Sequence, residues 1–167
     1  MSFKILVSDT SILIELERGG LLEEAFNLPM EFAVPDVLYV RELSQMENFD
    51  FIENGILIEE LNPESVENAQ QYRTENPGLS IPDCFSLALA KDNGWPLLTG
   101  DGLLRRCANK HKVECHGIFW VLDLMNEKGV ATAQQLHTGL QKISEHPRCR
   151  LTKRLVNEAL QKLTGLS

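Results

Sequence analysis

The chain has 167 residues, 43% of them hydrophobic, and a formal net charge of −8 at neutral pH. That length suits one ordinary domain with a full core, no apolar run nears the roughly 20 residues that cross a bilayer, and so acidic a surface excludes nonspecific nucleic-acid binding over its whole area. Cys84, Cys107, Cys115 and Cys149 show no CxxC pairing, and Met1 to Val7 run into an apolar strand without a basic leader, so reduced thiols in a cytoplasm and no export signal are expected.

Lys4 to Ser8 is a short run rich in branched residues that meets Asp9-Thr10-Ser11 before Ile12, Leu13 and Leu16 take up helical spacing. That order predicts strand, turn and helix. After Gly19-Gly20, residues 21–28 predict a second helix and Glu31 to Pro35 a second strand. Val37 to Ser44 then predicts a helix carrying Arg41 and Glu42, and Ile56 to Leu61 another strand. Asn62-Pro63-Glu64 opens a polar helix to about Glu75, with Pro63 suited to the first turn. Ser80-Ile81-Pro82-Asp83 begins a strongly apolar, buried helix that ends near Asn93-Gly94. Residues 95–99 predict a strand, Gly100-Asp101-Gly102 a turn, residues 103–111 a helix and residues 113–117 a last strand. Such alternation is the pattern of a doubly wound α/β fold with a mainly parallel sheet.

Beyond Gly117 the pattern changes, and residues 118–127, 132–144 and 151–163 all predict helices. Leu136, Leu140 and Ile143, and then Leu151, Leu155 and Leu160, supply apolar stripes. The expected organisation is an α/β domain over residues 1–127 and a helical extension over 128–167, packed on that domain or at a dimer interface.

Four acidic residues, Asp9, Glu42, Asp83 and Asp101, fall where strands end or helices begin. In a parallel α/β sheet those positions gather at the carboxyl edge of the strands. Carboxylates packed together repel unless a positive charge lies between them, and a hard divalent cation is the usual answer, which points to an enzyme dependent on Mg²⁺ or Mn²⁺. Each position also has an ordinary alternative. Asp9 could be an N-cap, Asp83 fits a Ser-x-x-Asp capping pattern with Ser80, Glu42 could be a solvated helix side chain, and Asp101 a turn residue. The case rests on their combination, with hydroxyls at Ser8, Thr10, Ser11 and Thr99 around the same strand ends. Two local basic runs, Arg105 to Lys112 and Arg148 to Arg154, offer either phosphate contacts or solvated helix faces.

These residues carry a resemblance to the PIN domain family of metal-dependent ribonucleases, which includes the VapC-type toxins of toxin–antitoxin pairs. The match lies in Val7-Ser8-Asp9-Thr10-Ser11, Pro35-Asp36-Val37 through Arg41-Glu42-Leu43, Pro82-Asp83-Cys84-Phe85-Ser86-Leu87-Ala88-Leu89-Ala90, and Leu97-Leu98-Thr99-Gly100-Asp101, and covers roughly Lys4 to Leu124. The resemblance implies a three-layer α/β/α sandwich, an acidic set of Asp9, Glu42, Asp83 and Asp101 that binds one or two Mg²⁺ or Mn²⁺ ions, and hydrolysis of RNA phosphodiester bonds. Ser11 and Thr99 would be supporting hydroxyls, and Arg105 and Arg106, nearest in sequence to Asp101, would contact RNA. A small antitoxin protein and a second copy in a homodimer are the partners it implies. Gly102-Leu103-Leu104 departs from relatives that carry another acidic residue just after the fourth position.

Three other readings compete. A PIN-like fold could serve as a binding or scaffold module with its nuclease activity weak or lost. A phosphotransfer receiver also gathers aspartates at parallel strand ends, but it wants paired acids after its first strand and a Lys near the end of the fifth, whereas Asp9 stands alone and no Lys follows Leu98. Cys107, His111, Cys115 and His116 allow a zinc site to be drawn, although their spacing is neither finger nor ribbon and apolar neighbours favour ordinary buried thiols.

Overall fold

The computed structural model describes residues 5–165; Lys4, where the first predicted strand begins, lies outside them. Five strands form one sheet in the order β3-β2-β1-β4-β5, with every pairing parallel. They are β1 (Ile5–Ser8), β2 (Glu31–Pro35), β3 (Leu57–Glu59), β4 (Leu97–Leu98) and β5 (Cys115–His116). The helices are α1 (Thr10–Arg18), α2 (Leu22–Ala25), α3 (Asp36–Arg41), α4 (Pro63–Glu75), α5 (Ile81–Asn93), α6 (Gly102–Lys110), α7 (Ile118–Glu127), α8 (Ala133–Glu145) and α9 (Lys153–Gly165). Among the described residues no helix is long and apolar enough to cross a membrane.

The layers follow from the two-residue period of a strand, which sends successive side chains to opposite faces. In β1, Leu6 joins a core built on α1, α7 and α8, while Val7 joins a second core built on α4, α5 and α6. In β4 the same division places Leu98 in the first core and Leu97 in the second. Both faces of the sheet are therefore apolar and both are covered, which gives the three-layer α/β/α sandwich.

The chain lays β2 and β3 to one side of β1 and then crosses to lay β4 and β5 on the other. The reversal falls between β1 and β4, where Val7 pairs with Leu97, Ser8 with Leu98, and the Asp9 amide donates to the Leu98 carbonyl at 2.8 Å. Open α/β sheets place their ligands at such a switch point.

Several predicted elements are longer than those observed. The outer strands β3 and β5 shrink to three and two residues, each pairing on one side only. The helix predicted over residues 21–28 is one turn, and Pro29 biases Leu28 away from helical geometry. The helix predicted over Val37 to Ser44 stops at Arg41. Glu42 leaves helical geometry (φ −124°, ψ −58°), a 3₁₀ turn follows over Leu43–Gln45, and the Ser44 hydroxyl donates to the Val40 carbonyl at 2.8 Å, competing with the helical ladder.

Leu136, Leu140 and Ile143 of α8 are buried in the same core as Leu6 and Ile12, as their spacing predicts. The stripe on α9 sits elsewhere on the helix. Val156 and Leu163 are buried, whereas Leu155 is 41% exposed and Leu151 and Leu160 are only partly covered. Leucine spacing picked the wrong face because Val156 and Leu163 complete a seven-residue step just as well.

Close approach fixes α8 against the end of α1. A Cβ at Gly139 would stand 2.5 Å from Leu21 Cδ1 and 3.0 Å from the Gly19 carbonyl, and one at Gly19 would stand 3.0 Å from Ile143 Cδ1. Gly139→Ala should therefore incur overpacking of about 1–3 kcal/mol, of which helix propensity returns about 1. With that Cβ only 2.5 Å from Leu21 Cδ1 the upper part of the range applies, so urea unfolding should show a net loss of about 1–2 kcal/mol; an unchanged midpoint would mean that the two helices separate freely.

Candidate active site

Asp9 is the first residue past β1 and stands at the N-cap position of α1, yet its side chain makes no capping bond to that helix. Instead Asp9 Oδ2 accepts from Thr99 Oγ1 at 2.8 Å and from Ser11 Oγ at 3.0 Å. Both hydroxyls are themselves acceptors, Thr99 Oγ1 from the Asp101 amide at 3.0 Å and Ser11 Oγ from the Gly100 amide at 2.9 Å. A hydroxyl has one proton, so each must spend it on Asp9 while its oxygen holds the backbone of the turn after β4. This pins the two strand ends together and leaves Oδ1 as the Asp9 oxygen to carry a proton or meet a cation.

Asp9 is only 5% exposed. Burial pushes its carboxyl up to about 7, the charges of Asp83 and then Glu42 push in the same direction, and the Thr99 and Ser11 hydroxyls pull against them. Two of the other three acidic residues thus act electrostatically on Asp9. None of the four forms an ion pair among the described residues.

Asp101 caps α6, with Oδ1 accepting from the Leu103 amide at 2.8 Å and the Leu104 amide at 3.1 Å. It is an N-cap rather than a plain turn residue. Asp83 forms the capping box expected from the sequence, accepting from the Ser80 amide at 3.0 Å while Ser80 Oγ accepts from the Asp83 amide at 3.1 Å. Glu42, at the break after α3, is half-buried rather than solvated. Asp9, Ser11, Glu42 and Asp101 line a groove of about 740 Å³; Asp83 lies outside its lining but its charge reaches Asp9. A separate, more apolar cleft of about 570 Å³ lies between α4 and α5, lined by Ala69, Arg73, Ile81 and Phe85. Among the described residues no three His, Cys, Asp or Glu side chains already stand close enough to hold a metal ion.

The predicted RNA contacts fall elsewhere. The Arg105 guanidinium donates to the Thr99 carbonyl at 3.3 Å and lies beside Gly117, and neither Arg105 nor Arg106 lines the groove. No three residues of the drawn zinc site stand close enough to hold a metal ion among the described residues. Cys107 is buried and accepts from Asn76 at 3.4 Å, His111 packs on Tyr72, and His116 of β5 stacks on Trp120.

Sequence reasoning missed Glu15, which lines the groove with one carboxylate oxygen buried and unpartnered. Burial pushes its carboxyl up to about 7, against the pull of Arg18, and Oε1 lies 3.2 Å from where a Gly100 Cβ would be. A signal existed, because Ser11, Glu15 and Arg18 are spaced four and three apart and share one face of α1. Arg148 and Arg150, on the loop between α8 and α9, also line the groove, and nothing local distinguishes them from other surface arginines.

The raised Asp9 carboxyl sets a direction for stability. Unfolded, Asp9 ionises near 3.8; folded, it keeps its proton to about 7, so between those values the native state binds more protons and stability falls as pH rises. In chelator, Asp9→Asn should therefore match wild type near pH 4 and exceed it above pH 7 by about 1–4 kcal/mol, as read by denaturant unfolding across pH. A variant that is less stable than wild type at pH 8 would contradict the electrostatic assignment.

A family model described as a PIN domain matches residues 5–165, and no curated protein matches the sequence. PIN domains are generally nucleases and typically bind divalent metals. With a parallel sheet, acidic residues at its carboxyl edge and a match over nearly its whole length, the chain belongs to the PIN domain family.

Proposed function

We propose that the chain is a metal-dependent endoribonuclease, a hydrolase of RNA phosphodiester bonds that acts as the toxin of a toxin–antitoxin pair. The observation that carries this is the buried Asp9 carboxylate at the switch point, loaded by the charges of Asp83 and Glu42 and paired with no cationic side chain among the described residues. Such a set has oxygen donors and lacks positive charge, which suits Mg²⁺ or Mn²⁺.

Asp9 and Asp101 would be the direct ligands, with Glu42 and Asp83 completing the shell directly or through water. A bound divalent ion supplies a water of lowered pKa and polarises the phosphoryl oxygens. The rest of the work belongs to the chain. Thr99 and Ser11 hold Asp9 by Oδ2 and thereby fix where Oδ1 stands, while the amides of Leu103 and Leu104 keep Asp101 oriented. We assign this chemistry to residues 1–127 and read residues 128–167 as an extension that shares its core, with a homodimer and a small antitoxin as partners in a cytoplasm.

One observation favours the scaffold reading instead. Asp83 and Asp101 each commit an oxygen to a helix cap, a duty they would keep in a fold without catalysis.

Calorimetric titration of Mn²⁺ into wild type, Asp9→Asn and Asp101→Asn separates the two. Both substitutions should weaken binding at least about tenfold, and Asp9→Asn should abolish Mn²⁺-dependent RNA cleavage while its circular dichroism stays native. Wild type that takes up no Mn²⁺ and cleaves no RNA would leave the scaffold reading standing.

A further inference from the structure

The nuclease reading leaves a physical problem unsolved. A phosphate backbone approaching Asp9, Glu42 and Asp101 is repelled before any cation can bridge it, and the protein as a whole carries a net charge of −8. Cations must therefore stand in the groove itself. The expected ones do not, because Arg105 is turned to the Thr99 carbonyl and neither it nor Arg106 lines the groove.

Among the described residues that line the groove, the cations are Arg18, Arg148 and Arg150. Arg18 is engaged electrostatically with Glu15. Arg148 and Arg150 are exposed and form no ion pair among the described residues, although they share the groove with carboxylates. An arginine left unpaired beside acids is suited to a ligand anion, and its planar fork matches phosphate geometry.

Their loop is a built part of the fold. The Cys149 amide donates to the His146 carbonyl at 2.9 Å, the Arg148 amide to His146 Nδ1 at 3.1 Å, and the Leu151 amide contacts Cys149 Sγ at 3.4 Å. Upstream, α8 is seated on the end of α1 by the Gly19 and Gly139 contact, so the loop that leaves α8 is carried to the groove that begins at Asp9.

We propose that Arg148 and Arg150 bind the phosphodiester backbone of single-stranded RNA and hold it against the acidic centre, so that the helical extension supplies the substrate-binding wall of the site. This rests on the nuclease reading above. It makes the extension part of the active centre and predicts binding governed by charge rather than by base identity.

The test measures anisotropy of a short fluorescein-labelled RNA of mixed sequence on Asp9→Asn protein, which prevents turnover, with and without Arg148→Ala and Arg150→Ala, over a salt series. Removing both arginines should weaken binding on the order of tenfold and reduce the slope of log affinity against log salt by about 1.4, from about 0.7 per phosphate contact on a single strand. Arg148→Lys with Arg150→Lys should keep most of that slope, which a merely structural role for the loop would not produce. Mn²⁺ calorimetry on the double alanine variant with native Asp9 should match wild type. Equal affinity and slope with and without the arginines would overturn the proposal, and so would failure of the Asp9→Asn protein to bind RNA at low salt. Wild-type Mn²⁺ binding stands or falls separately, so failure of the arginine wall remains distinguishable from failure of the metal centre.

Discussion

Two hydroxyl groups hold the structure's central tension. Asp9 is a carboxylate buried at the meeting of two strands, and burial alone would keep it protonated through much of the physiological range. Thr99 and Ser11 each give it their single proton and in return anchor the Gly100 and Asp101 amides. One small network thus sets the charge of Asp9, the position of its free oxygen and the path of the chain from β4 into α6. Replacing Thr99 by Val would remove the donor to Asp9 and the acceptor for Asp101 together, because both depend on one oxygen atom.

Around that network the two layers of helices have different tasks. The layer of α4, α5 and α6 packs on Val7 and Leu97 and presents Asp83 and Asp101 through caps at the starts of α5 and α6. The opposite layer packs on Leu6 and Leu98 and delivers Glu15 and Arg18 from α1 and the two arginines from the loop after α8. Asp101 therefore reaches the groove from one face of the sheet, and Glu15 with the three arginines from the other. Their relative placement is only as firm as the alternating contacts of β1 and β4.

The architecture was legible in the sequence because it depends on local alternation. Runs of branched residues, turn residues and apolar helices each announce themselves within a window of about ten residues, and the order of elements dictates a parallel sheet. The four acids were legible for the same reason, since each sits at a boundary between elements. Their states were not. Whether Asp9 caps a helix or is held by Thr99 depends on a partner far along the chain, and no local pattern distinguishes Arg105, committed to a carbonyl, from Arg150, exposed in the groove. The misplaced stripe on α9 has a related cause: Leu155 and Val156 both allow helical periodicities, and only the neighbouring helices decide which face is covered.

The bond from Thr99 to Asp9 joins residues 90 positions apart in sequence. Contacts of that range form after local ones, because the loop they close must first surrender its freedom. In chain order β1 to β3 and α1 to α5 precede Thr99, and the arginine loop comes later still. The centre is thus completed by the second half of the chain. A chain that ends before Thr99 holds Asp9 by Ser11 alone, so the full network around that carboxyl arrives only with the strand that carries Thr99.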